Sequence, residues 1–118
     1  MRIHFLIIFI KKGWYNLLVI RCNNEKIFID NSESMTIMNE LNLFKEIKSH
    51  NNQVSILLKV ALECKLQFLN KHKNKYRKFE SVDCPANSII STRICLEKII
   101  NFLNKCDMKE RIVVYEVM

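Results

Sequence analysis

The chain has 118 residues, 49% of them hydrophobic, and a formal net charge of +7, enough for one domain with a real core and too little for two. A single glycine (Gly13) and a single proline (Pro85) exclude long flexible linkers, low-complexity tails and all-β folds that depend on many glycine turns. The basic excess fits a polyanion partner, and equally a composition rich in Lys, Asn and Ile of the kind AT-rich coding produces.

Residues 3–10 are rich in Ile and Phe and read as a buried strand. Arg2 ahead of the apolar run and Lys11-Lys12 behind it also resemble a targeting segment. The strongly apolar run, Phe5–Ile10, has six residues, shorter than the roughly 7–15 of such a segment and far below the ~20 needed to span a bilayer. Residues 14–21 read as a second strand centred on Leu17, Leu18, Val19 and Ile20. Asn23-Asn24 follows, and asparagine tolerates the left-handed backbone of a tight turn. Residues 26–30 alternate, with Ile27 and Ile29 on one face and Lys26, Phe28 and Asp30 on the other. Residues 14–30 therefore form an expected β-hairpin.

Ser32 or Ser34 can cap a short amphipathic helix carrying Met35, Met38, Leu41 and Phe44. A polar break at residues 50–53 precedes the strongest helical signal, residues 54–69. There Leu57, Val60, Ala61, Cys64 and Phe68 form one stripe, and Leu58, Leu62, Leu66 and Leu69 a second. Two apolar faces imply a helix covered on more than one side. Residues 70–78 are polar and basic and read as a solvated loop. Cys84-Pro85 suits a helix start, and Ile89, Ile90, Ile94, Leu96, Ile99, Ile100 and Leu103 continue at helical spacing to Cys106. Residues 111–115 read as a final short strand. Strands, then helices, then a strand define an α+β class.

Chemistry is sparse. The five cysteines, Cys22, Cys64, Cys84, Cys95 and Cys106, are odd in number and include no C-x-x-C pair. With no N-x-S/T sequon, reduced thiols in a nuclear or cytoplasmic protein are expected. His4, His50 and His72 are scattered, so no metal site is expected. There is no nucleophile elbow and no phosphate-cradling loop, so neither catalysis nor a cofactor is expected, nor a membrane partner. The basic residues 71–78, with Tyr76 and the adjoining Phe79, offer charge and stacking to a nucleic acid.

One ordered set of motifs stands out. A hairpin is followed by Ser34-Met35-Thr36-Ile37-Met38-Asn39-Glu40-Leu41, a polar loop, and Val54-Ser55-Ile56-Leu57-Leu58-Lys59-Val60. A basic loop, Phe79, and Leu96-Glu97-Lys98-Ile99-Ile100-Asn101-Phe102-Leu103 complete it. This resembles the elongin C family of ubiquitin-ligase adaptors in the BTB/POZ superfamily, over residues 15–108. The resemblance implies a BTB/POZ-like α+β domain: an N-terminal β-hairpin or small sheet followed by a helical cluster. Residues 1–14 would be an N-terminal extension or extra strand, and 109–118 a C-terminal tail or short strand. It also implies a protein-binding function. Phe79, Leu96, Ile100, Phe102 and Leu103 would line a groove for the BC-box helix of a substrate receptor. The hairpin edge would meet an elongin B-like ubiquitin-fold protein, and a cullin would bind elsewhere. The alternative is a small basic nucleic-acid-binding or ribosome-associated protein.

Overall fold

The computed structural model describes residues 17–30, 35–79 and 89–117. The strand expected at residues 3–10, the capping serines 32 and 34, and the Cys84-Pro85 helix start lie outside the described residues. Strands β1 (Leu17–Cys22) and β2 (Glu25–Asp30) form the expected hairpin. Asn23 at its turn has φ 60°. Helices α1 (Met35–Glu40), α2 (Leu43–Ser49) and α3 (Ile56–Lys71) follow, then a one-turn helix α4 (Lys73–Tyr76) and a 3-10 turn, Arg77–Phe79. Helix α5 (Ile89–Asn104) leads to strand β3 (Ile112–Val117). The protein is α+β: a three-stranded antiparallel sheet, order β2-β1-β3, packed against helices.

The sheet's core side follows the period of two. Leu18, Ile20, Cys22, Ile29 and Ile112 are buried in the main apolar cluster, with Ile27 and Val114 packed against it. As expected, Lys26 and Phe28 face the other way, with the Lys26 ammonium 5.7 Å from the Phe28 ring centre. Val19 is also fully buried but stands outside the main cluster. It pairs with Phe28 on one neighbouring strand and Tyr115 on the other, so the second face of the central strand is covered at Val19, while Arg21 on that face is exposed.

The helix expected across Met35 to Phe44 is instead two. Asn42 adopts φ 57°, ψ 37° and turns the chain between α1 and α2. Of the five non-glycine residues with positive φ among those described, four are asparagines: Asn23, Asn42, Asn51 and Asn52. In a chain with one glycine, asparagine takes over the left-handed positions, because its short polar side chain offsets part of the steric cost.

The polar break at residues 50–53 is structural. Val54 N–H donates to the Glu110 carbonyl (2.9 Å), Lys109 N–H to the Val54 carbonyl (2.8 Å), and Ile112 N–H to the Asn52 carbonyl (2.7 Å). These bonds strap the start of α3 to the approach of β3, and β3 then completes the sheet against β1. The C-terminal residues are thus an integral strand rather than a tail.

Candidate interaction surface

Helix α3 begins at Ser55, whose extended backbone and side-chain oxygen, accepting from Leu58 N–H at 3.0 Å, form a regular N-cap. It has no internal Gly or Pro. Its Leu58, Leu62 and Leu69 are fully buried against the rest of the core, with Leu66 partly so. The helix packs on α5, which buries Ile89, Leu96, Ile99, Ile100, Phe102 and Leu103.

The other stripe of α3 is not covered. Leu57 is 72% exposed, Val60 52% and Phe68 40%. Cys64 is also exposed and Ala61 half-buried. The stripe taken first from the sequence is therefore the outer face, and the second edge is the core. Both have helical periodicity, and periodicity alone cannot say which side the sheet and α5 occupy.

The basic segment beyond α3 is ordered, not a solvated loop. Tyr76 is buried and anchors α4 against Phe68, edge-on at 6.3 Å between ring centres. Burial, and the Glu40 charge after it, push its phenol above the usual range. His72 lies against Phe68 at 4.3 Å, and the Lys75 ammonium is 5.2 Å from the same ring centre. Lys71, Lys73, Lys75, Arg77 and Lys78 are exposed. With Tyr76 committed to the core, the aromatic–basic pairing expected for base stacking loses that member.

Beside this corner is an open cleft of about 410 Å³ bordered by Glu40, Glu46, Lys65, Phe68, Lys75 and Tyr76. Lys65 Nζ donates to the Leu41 carbonyl (2.7 Å) at the α1–α2 break and pairs with Glu46 at 3.3 Å. His50 Nε2 lies 3.1 Å from the other Glu46 oxygen. Burial pushes the Glu46 carboxyl up, but its hydrogen bonds with His50 and Lys65 outweigh this and hold it below the ordinary value.

The sequence-derived groove falls elsewhere. Leu96, Ile100, Phe102 and Leu103 are buried, Leu103 completely and Phe102 with 8% exposure. They are brought together, as expected, but as core side chains of α5 rather than the lining of an open groove. The physical reason is that α5 turns this face to the hairpin and α3. Phe102 reaches a shallow depression, shared with Ile27, Ile94 and Lys98. Phe79 closes the 3-10 turn. The exposed apolar residues of α5 are Ile90 and Ile94.

Two thiols, Cys22 and Cys106, lie near Glu110 and are both pushed above the ordinary thiol value. Cys22 Sγ donates to Glu110 Oε2 at 3.7 Å, and Cys106 Sγ to the Phe102 carbonyl at 3.3 Å. Burial first, then the neighbouring Cys106 and Glu110, push the Cys22 thiol up to about 12. A cysteine nucleophile needs the opposite shift. Among the described residues no group of three His, Cys, Asp or Glu could hold a metal ion, and no helix is long and apolar enough to cross a membrane.

Comparison with family models, with curated proteins and with solved structures gave no match.

Proposed function

We propose that this protein is a non-catalytic interaction adaptor of the elongin C kind, with a BTB/POZ-like domain. In this reading it works in the nucleus or cytoplasm, joining a helix of a substrate receptor to a cullin ubiquitin ligase. The observation that carries the reading is the two-faced helix α3. Its inner leucines complete the core, while a full-length apolar stripe stays open on the outside. A monomer that leaves such a face open gains by covering it with another polypeptide.

The motif order from hairpin to α5 supports the family reading. The partner set follows from it: an elongin B-like ubiquitin-fold protein at the hairpin edge, a BC-box receptor helix, and a cullin. Leu96, Ile100, Phe102 and Leu103 are buried, which supports the outer side of α3, rather than the groove that the resemblance implied, as the docking face of this proposal. On the hairpin edge, Lys98 Nζ already donates to the Phe28 carbonyl at 2.8 Å, tying α5 to β2.

Calorimetric titration of the full chain with a purified ubiquitin-fold partner, a BC-box peptide and a cullin N-terminal domain tests the proposal. Saturable binding of at least one, with no activity needed, is expected. No heat with any of the three would remove the reading.

Nucleic-acid binding is the second reading, favoured by the exposed cations at 71, 73, 75, 77 and 78. It predicts RNA affinity that falls steeply and log-linearly with salt. Burial of Tyr76 and the aliphatic character of Leu57 and Val60 weigh against it, since aliphatic side chains offer no stacking platform.

A further inference from the structure

We infer that the outer face of α3 is a docking seam for an acidic amphipathic helix of a partner protein, held by Leu57, Val60, Cys64 and Phe68 and clamped by the basic segment after α3. The inference rests on the reading of the protein as a binding module and names the face and the chemistry of what binds there.

The seam residues are spaced by three, four and four, the interval at which one helix presents a continuous ridge to another. Leu58, Leu62 and Leu69 are fully buried on the opposite side, so the exposure of the seam follows from where the core lies. At 1.5 Å per residue the seam from Leu57 to Phe68 is about 16 Å long, matching roughly three turns of a partner helix.

Charge selects the partner. Phe68, at the end of the seam, is overlaid by His72 and by Lys75. Lys71 and Lys73, in the same stretch of chain, are exposed, and residues 71–76 contain no carboxylate. That is more positive charge than the C-terminus of one helix calls for. A partner with carboxylates beside its apolar ridge gains Coulomb energy at this end.

A second copy of the chain fits less well. A parallel pairing of two seams would set two basic ends together. An antiparallel pairing would set each basic end over the first turn of α3, which has no acidic residue and carries Lys59. Nucleic acid would use the cations but leave Leu57 and Val60 without a partner.

The test uses the full chain and two synthetic helical peptides of about 15 residues. Both carry leucines at seam spacing; one has glutamates at the flanking positions and the other lysines. By fluorescence anisotropy the glutamate peptide should bind at least roughly tenfold tighter than the lysine peptide, and roughly tenfold more weakly at about 0.3 M than at about 0.05 M salt. Bound glutamate peptide should slow alkylation of Cys64 at least about tenfold, a readout that needs no variant. Leu57→Ser with Val60→Ser should weaken it by a similar factor while leaving the melting temperature within about 2 °C.

Equal affinity for the two peptides, no binding of either, or unprotected Cys64 overturns the inference. So does a wild-type dimer that the double variant dissociates, or an RNA oligonucleotide that displaces the peptide. If the ubiquitin-fold partner binds wild type and double variant alike while both peptides fail, the seam is wrong and the adaptor reading stands. If that partner, the BC-box peptide and the cullin domain all fail as well, both fall.

Discussion

Leu57 and Leu58 are neighbours in one helix, yet Leu58 is fully buried and Leu57 is 72% exposed. The hundred-degree step between consecutive helical residues carries one into the core and the other to the outside. The same step separates Ala61 from Leu62 and Phe68 from Leu69. Helix α3 is thus apolar on two opposite sides, and only one of them is used by the monomer.

That division predicts a paired outcome. Leu58→Ala removes a side chain with no room to relax and should cost about 2–5 kcal/mol. Leu57→Ala should stay within about 0.5 kcal/mol. Urea unfolding of both variants checks this. Equal losses would mean that the outer stripe is packed within the monomer, and the interaction surface would disappear with it.

The hairpin, the two long helices α3 and α5 and the α+β class were legible in the sequence because each rests on local periodicity. The side of α3 that faces the core was not. Leu57-Val60-Cys64-Phe68 and Leu58-Leu62-Leu69 have equal claim to an apolar face, and the choice is made by α5 and the sheet, far away in sequence. The signal was present in a different form: one helix in a small domain cannot easily bury two opposite faces, so one of them is surplus. Likewise, the run from Asn70 to Lys78 reads as solvent-exposed by composition. Its structure depends on Tyr76, a single residue whose ring finds Phe68 one helical segment earlier.

Asn42 carries the break between α1 and α2 with a left-handed backbone. Asn42→Gly should be tolerated within about 0.5 kcal/mol, since glycine adopts this geometry freely. Asn42→Val should cost about 1–2 kcal/mol, because a branched Cβ collides with the backbone there. If valine were harmless, the break would be held by Lys65 bonding to the Leu41 carbonyl and not by Asn42. Thermal melts of the two variants separate these cases.

The thiols should react in the order of their surroundings. Cys64 is exposed and Cys22 is buried. Iodoacetamide near neutral pH should modify Cys64 quickly and leave Cys22 unmodified until the chain unfolds, read by peptide mass mapping. The raised Cys22 pKa adds a pH dependence. Its stabilising contribution is complete below the ordinary thiol value of 9.0 and is lost as pH rises toward about 12, because the unfolded thiol ionises first. Cys22→Ala should therefore flatten the alkaline limb of the stability curve. Rapid labelling of Cys22 in the native state would contradict its burial.

Glu46 sets the opposite limb. Its carboxyl is held below the ordinary value of 4.5, so its contribution is present above that pH and fades as pH falls through the lowered value. Its partners are only partly buried, which limits the effect to less than about 1 kcal/mol. Glu46→Gln should shift the midpoint of acid unfolding slightly upward in pH, with a smaller loss at neutral pH than Leu58→Ala. An unchanged acid midpoint would show that His50 and Lys65 contribute nothing through this carboxylate.

Leu96, Ile100 and Leu103 decide between core and groove. Each lies on the inner side of α5 and is at most 4% exposed. If they are core, truncation removes stability first and binding only in proportion to the unfolded fraction. Ile100→Ala and Leu103→Ala should each cost about 2–5 kcal/mol, while the folded fraction of each variant keeps the wild-type affinity for any partner helix. A groove residue would behave in reverse, with a melting temperature near wild type and affinity weakened by roughly 2 kcal/mol or more. Measuring melting and peptide affinity on the same preparations distinguishes the two. The reverse pattern at Ile100 or Leu103 would restore the groove implied by the family resemblance and displace α3 as the binding face.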